Sequence, residues 1–463
     1  MSRALLPLFL ALALTGCDSL FGSKDDATTD EVFDEGAVDP TLVDEVGYVP
    51  LSPFYSQGAN GGALQRPVDV YVGYDELIYV ADQQGLHILD LAGRPQSFIG
   101  EITGVFNNNG TPDDPSDDVE VPAQPLRDIT AVIQDRSLDI LIAARRDTAL
   151  AGVTWDLPVV YRLSGATTGI PTVEDIVWHP FDDRSRTDNQ FRPPQCYLVP
   201  TSACTQEEID DPMSSVLTDE DARFTDIAVL ADNSFYVTRS GPVNTQAEGL
   251  NNRVEPFNVV LAFSPDGVNT RAVGLSQTQA TQPSLLSSVY PSAVATPIGP
   301  PQRSSFTEAE DFFVAQNPPG LDVRYPVLSI LVVETTQGTE FRVDTERLGA
   351  SANPENGDGF LYEDFGLRGP TSMTIAADET GYLFVTDEET DSLYVFNRNG
   401  IEGVAPPPAS GSLRPVRVSF GGTGSGPLSF DDPQGVAYFE RIVYVADAGN
   451  NRIARYRLNT DFE

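Results

Sequence analysis

Short apolar runs, grouped in threes and separated by turns rich in Asp, Asn and Gly, fill most of the chain beyond residue 64. Residues 67–91 contain Pro-Val-Asp-Val-Tyr-Val, Leu-Ile-Tyr-Val-Ala-Asp and Leu-His-Ile-Leu-Asp-Leu. Residues 370–396 repeat the phrase as Pro-Thr-Ser-Met-Thr-Ile, Tyr-Leu-Phe-Val-Thr-Asp and Ser-Leu-Tyr-Val-Phe. Residues 433–458 repeat it as Pro-Gln-Gly-Val-Ala-Tyr, Ile-Val-Tyr-Val-Ala-Asp and Asn-Arg-Ile-Ala-Arg-Tyr-Arg-Leu. The β-branched and aromatic content of each run is that of a strand, and the polar joints are hairpin turns. The middle run is almost wholly apolar, which predicts a strand covered on both faces.

Weaker copies occupy the middle of the chain. One runs through Leu126–Val132, Leu138–Ala143 and Pro158–Leu163, and another through Phe224–Leu230, Ser234–Thr238 and Asn258–Phe263. A third runs through Ser292–Thr296, Phe312–Ala315 and Val327–Val333. Six copies of this length predict an all-β fold, a six-bladed β-propeller. A seventh blade would have to come from Gln337–Phe365, which holds only fragments. The last copy stops after its third run, so its outermost strand must come from elsewhere or leave an open edge. Val46–Ser52, Val-Gly-Tyr-Val-Pro-Leu-Ser, is the natural donor, and Pro50 suits an edge strand. An N-terminal strand is therefore expected to close the last blade.

The stretch Ile442-Val443-Tyr444-Val445-Ala446-Asp447-Ala448-Gly449-Asn450-Asn451-Arg452-Ile453, with Gly435-Val436-Ala437 before it, resembles the NHL repeat. The first and fifth copies match less fully and the other three in outline, so the resemblance covers most of 64–460. It implies the propeller fold and no single activity, because such propellers serve as enzymes, sensors and scaffolds.

The first residues read differently. Met1-Ser2-Arg3 is a short basic start, Ala4–Leu14 is apolar apart from Pro7, and Leu14-Thr15-Gly16-Cys17 follows. The apolar run is too short to span a bilayer but suits a secretory signal. The last four residues resemble a bacterial lipobox. That resemblance implies cleavage before Cys17, a diacylglyceryl group on its sulfur and an acylated new amino terminus. Residues 1–16 are thus expected to be a lipoprotein signal peptide, and the mature chain to sit in the cell envelope, anchored outside the cytoplasm on a periplasmic or surface-facing membrane. Residues 17–45 read as an acidic disordered tether: Asp18–Glu45 holds ten acidic residues and one Lys, with too little apolar surface to offset ordering. Residues 46–463 are the propeller. In an exported chain, Cys196 and Cys204 are expected to form a disulfide.

The 463 residues are 40% hydrophobic and 9% aromatic, with 38 Gly and 36 Pro, too apolar for a disordered chain and too interrupted for long helices. Lys+Arg 28 against Asp+Glu 68 gives a net charge of −40. A polyanion of that size repels nucleic-acid phosphates and anionic headgroups, so nucleic acid is not an expected partner. With two histidines, His87 and His179, a zinc site or a Ser-His-Asp hydrolase has little to be built from.

Loops between the first and second runs are short, Ile298–Asp311 excepted. Loops between the second and third runs, and those joining copies, hold nearly all the excess chain: Phe106–Gln124, Ala144–Leu157, Phe181–Ala222, Arg239–Pro256, Gln316–Tyr325 and Gln337–Arg368. In a propeller these share one face, which marks it as a candidate binding face. Aligning the starts of the first runs gives Asp69, Asp128, Asp226, Ser292, Ser372 and Gly435. Calcium takes several oxygen ligands at loosely specified angles, so Asp69, Asp128 and Asp226 are candidate metal ligands at the channel mouth. Lactonase and gluconolactonase-like propellers are similar in holding a divalent ion with Asp, Asn and Glu. The competing reading gives each Asp backbone amides to accept from. Asn107–Gly110 with Asp113, Asp114, Asp117 and Asp118 superficially resembles a calcium loop, but Pro112 and Pro115 break the spacing and favour a solvated loop. Arg145, Arg146 and Trp155 form a candidate cationic and aromatic contact for a carboxylate or sugar. Asp82, Asp387 and Asp447 read as turn residues bonding backbone amides nearby.

The reading these features favour is a lipid-anchored binding or scaffolding module, with an envelope protein or a small molecule as its partner. A calcium-dependent lactonase or hydrolase is the alternative, and a structural part of an envelope assembly is a third.

Overall fold

The computed structural model describes residues 46–462, apart from 104–105, 108–115, 117–118, 121–122, 151–152, 165–171, 179–222, 241–257, 268, 274–289, 301–310, 321, 337, 345–358, 408–409 and 411. Cys17, Cys196, Cys204, the segments 1–16 and 17–45, and most of Asn107–Asp118 lie outside the described residues.

Six four-stranded antiparallel sheets follow one another along the chain. Blade 1 is Asp69–Val72, Leu77–Asp82, Gly85–Asp90 and Pro95–Ile99. Blade 2 is Arg127–Gln134, Ile140–Leu150, Val153–Ser164 and Thr172–Trp178. Blade 3 is Arg223–Val229, Phe235–Ser240, Val259–Phe263 and Asn269–Val273. Blade 4 is Pro291–Ala295, Phe312–Gln316, Val327–Thr335 and Gly338–Val343. Blade 5 is Pro370–Ile375, Leu383–Asp387, Ser392–Phe396 and Phe420–Gly421. Blade 6 is Pro433–Phe439, Ile442–Asp447 and Arg452–Leu458, with Tyr48–Pro50 as its outermost strand.

The core consists of six apolar clusters, one between each pair of neighbouring blades. This explains the all-apolar second strands. In blade 1, Ile78 and Val80 face blade 6, while Tyr79 and Ala81 face blade 2. Successive side chains of a strand point to opposite faces, so a strand sandwiched between two blades needs apolar residues at every position. Each such fully buried side chain contributes about 1.5–3 kcal/mol.

Closure follows the expected route. Tyr48 pairs with Leu458, Val49 with Arg457 and Pro50 with Tyr456. Flanking contacts extend the seam: Leu51 N donates to Arg455 O at 2.8 Å, and Tyr55 and Ile453 exchange backbone bonds. Tyr48 and Val49 are buried, and the Tyr48 ring meets Phe384 edge-on at 6.0 Å. Pro50 stands on the outermost strand, where its missing N–H leaves no ladder bond unmade.

The Asp that ends the second strand ties each incoming segment to its blade. Asp82 accepts from Gln65 N and Gln84 N, Asp387 from Arg368 N and Thr390 N, and Asp447 from Asp431 N. Asp447 also holds Arg452 at 2.7 Å, whose remaining donors reach the carbonyls of Ser425, Gly426 and Ser429. The turn reading of these aspartates thus extends to long-range stapling.

Candidate functional site

The first strands line a central channel, and pairing with the second strands fixes which residues are equivalent. Asp69 pairs with Ala81, Ala131 with Ala143, Asp226 with Thr238, Ala293 with Ala315, Ser372 with Thr386 and Gly435 with Ala446. The column around the channel is therefore Asp69, Ala131, Asp226, Ala293, Ser372, Gly435. Polar residues stand in blades 1, 3 and 5 and small apolar ones in blades 2, 4 and 6. Asp128 precedes its blade's true position by three residues. The register between Arg127 and Ala131 is irregular, and Asp128 itself adopts φ 49°. Its carboxylate is 61% exposed and pairs with Arg127 at 2.8 Å. Ser292 likewise stands one place ahead of Ala293.

Each polar member of the column reaches the next blade. Asp69 accepts from Val70 N and, with its other oxygen, from Val132 N of blade 2, both at 2.8 Å. Asp226 does the same with Ile227 N and Val294 N of blade 4, also at 2.8 Å. Ser372 Oγ accepts from Val436 N of blade 6 at 3.2 Å. The even-numbered blades need small residues where these groups approach: a Cβ on Gly435 would lie 2.7 Å from Asp69 Cα. One residue earlier, hydroxyls clamp successive blades, with Thr130 donating to Phe224 O, Thr225 to Pro291 O, Ser292 to Pro370 O and Thr371 to Pro433 O.

Burial pushes the Asp69 carboxyl up to about 7, against the lowering effect of its two amide bonds. Asp226 is raised well above the usual carboxylate range by burial and then by the charge of Asp69. The channel between them is a cavity of about 60 Å³, room for roughly four waters. The structure thus brings Asp69 and Asp226 to one cavity and leaves Asp128 out of it. Among the described residues, no three His, Cys, Asp or Glu side chains form a group that could hold a metal ion.

A chain of polar side chains links blades 4, 5, 6 and 1 on the face where the first strands begin. Asn317 Nδ2 donates to Glu388 Oε1 and Gln434 Nε2 to Glu388 Oε2, both at 2.8 Å. Gln434 also reaches Asp432, which pairs with Arg66. Sequence reasoning passed over these residues. The available signal was Gln434, which occupies the repeat position where blades 2 to 5 carry a Thr or Ser.

Arg145, Arg146 and Trp155 lie on strands rather than in a loop, because the blade 2 hairpin continues in register from Arg145↔Pro158 to Leu150↔Val153. Arg145 is 5% exposed, and its guanidinium holds Asp156 Oδ2 at 2.8 Å. Arg127 joins Asp156 and Asp147 on the same face of the hairpin. Arg145 is therefore committed within the fold. Arg146, one residue on, points to the opposite face. Trp155 pairs with Thr148 in the backbone register.

No family model matches the chain, and no curated protein matches it in sequence. Solved structures similar to it include a gluconolactonase from Xanthomonas campestris, at 10% identity over 91% of this chain and 94% of that one, with a TM-score of 0.41. An auxiliary nutrient binding protein from Bacteroides thetaiotaomicron shares 9% identity over 91% and 74%, with a TM-score of 0.44. The calcium-binding protein regucalcin from Agrobacterium tumefaciens shares 10% over 88% and 94%, with a TM-score of 0.41. The likeness is one of fold.

Proposed function

We propose that the chain is a lipid-anchored, extracytoplasmic β-propeller whose loop-rich face binds or scaffolds an envelope protein or a small molecule. The observation that carries this reading is the use made of the channel carboxylates. Asp69 and Asp226 hold neighbouring blades together through backbone amides. The cavity between them, about 60 Å³, is far smaller than the roughly 300–1,000 Å³ of ordinary ligand pockets. Recognition is then work for the face on which the blade 2 hairpin is extended. Cys17 carries the lipid, and residues 18–45 are the spacer.

Two experiments test it. Fatty-acid labelling should mark the protein in a bacterial host, and Cys17→Ser should lose the label and leave the membrane fraction; a labelled or membrane-bound Cys17→Ser protein refutes the anchor. Mild crosslinking in the envelope should capture a partner that is lost when residues 147–156 are replaced by a two-residue turn. Capture at the wild-type level by that folded variant refutes the binding face.

The calcium-dependent hydrolase reading keeps one supporting observation, the presence of Asp69 and Asp226 on one cavity. It requires calcium in the purified protein and lactone hydrolysis, both lost in Asp226→Asn.

A further inference from the structure

Arg146 is 9% exposed, yet its buried Nε has no hydrogen-bond partner. Arg145 and Arg452, also largely withdrawn from water, each hold a carboxylate, Asp156 and Asp447. Among the described residues, no such carboxylate pairs with Arg146. Its strand parity puts it with Ile142 and Ala144, on the side that packs against blade 1 together with Ile102 and Leu126 of the connecting segment. The four acidic and basic groups of the hairpin base, Arg127, Arg145, Asp147 and Asp156, are on the other side. The group whose field reaches Arg146 is the Tyr161 phenol, and burial draws the guanidinium's pKa down. A buried charge without a counter-charge is strongly destabilising, so an anion that paired with Arg146 would stabilise the fold.

We propose that Arg146 anchors an oxyanion site at the shoulder between blades 1 and 2, taking the carboxylate of a small organic acid. A guanidinium presents parallel N–H groups in one plane, which match the two oxygens of a carboxylate. A chain of net charge −40 repels a dianion about twice as strongly as a monoanion, which favours a carboxylate over phosphate or sulfate. Tyr161 supplies a neutral polar neighbour. The site deepens the reading of the loop-rich face as a binding surface and rests on it for the biological use of the ligand.

The test is calorimetric titration and thermal melting of the full chain with the monocarboxylates acetate and propionate, with sulfate as comparison, at constant ionic strength. Propionate should bind the wild type and raise its melting temperature. Arg146→Met, which replaces an uncompensated buried charge with an apolar side chain, should fold, melt higher than the wild type without ligand, and bind propionate at least about tenfold more weakly. Arg146→Lys should retain part of the affinity. Equal propionate affinity in Arg146→Met, or no carboxylate binding to the wild type, overturns the site, and sulfate bound as tightly as propionate overturns its carboxylate class. Loss of the crosslinked partner on hairpin replacement reads the face itself and does not depend on any of these results.

Discussion

Neutralising Asp69 should change the sign of its effect on stability as pH is raised. The ordinary Asp value is 3.8 and burial holds this one up to about 7, so between those limits the unfolded chain has ionised Asp69 while the folded protein keeps the proton. The folded state then binds more protons, and stability falls with rising pH. The contribution is fully present below 3.8 and gone above 7. At about 1.4 kcal/mol per pH unit the whole fall is at most about 4 kcal/mol. Asp69→Asn removes this dependence but turns an amide NH2 toward either Val70 N or Val132 N, forfeiting one hydrogen bond at a cost of about 1–3 kcal/mol. The variant should therefore be less stable than the wild type at pH 4.5 and equal or more stable at pH 8.5. Urea unfolding by circular dichroism, in chelator and at constant salt, measures this. Other titrating groups are common to both proteins and cancel in the difference, apart from Asp226, whose carboxyl should move down once the Asp69 charge is gone. A stability difference that stays flat from pH 4.5 to 8.5 would refute the protonated, amide-capped Asp69.

Three further outcomes follow from the same structure. Tyr48→Ala should lose about 3–5 kcal/mol in urea unfolding, because a buried ring that seals the closing strand is deleted; an unchanged midpoint would deny the seam its role. Arg452→Ala should cost about 3 kcal/mol or more, since it strands the buried Asp447 carboxylate and three carbonyls; a loss below about 1 kcal/mol, the range of a surface ion pair, would show the network to be incidental. Raising sodium chloride from about 0.05 to 1 M, where the Debye length shrinks to about 3 Å, should raise the melting temperature by screening the repulsion of a −40 chain, and a flat or falling response would contradict that.

The blades were legible because their second strands are apolar at every position, a pattern imposed by burial on both faces. The closing strand was legible because the last repeat is one run short. The channel column was harder. Aligning the first runs puts Asp69 and Asp226 in the column where strand pairing also has them, but not Asp128, because an irregular register with a left-handed residue intervenes between Arg127 and Ala131 and leaves no mark in hydrophobic periodicity. The extension of the blade 2 hairpin reads as a loop in sequence because Arg145-Arg146-Asp147-Thr148 interrupts the apolar run of its second strand. Its strands continue in register past Ala144, and alternation there sends Arg145 to a carboxylate and Arg146 to the opposite side. Sequence shows that two arginines are adjacent, and only register shows that they do different things.

The alternation around the bore makes the ring a trimer of doublets. Asp69 couples blade 1 to 2, Asp226 couples 3 to 4 and Ser372 couples 5 to 6, so this side-chain-to-amide link recurs every second sheet. On its other side, toward blade 6, Asp69 needs a small residue, which Gly435 provides. Inserting or excising one blade would set two reaching residues, or two small ones, side by side, while adding or removing two would leave the order intact. Growth or shrinkage of this architecture is thereby biased toward even steps.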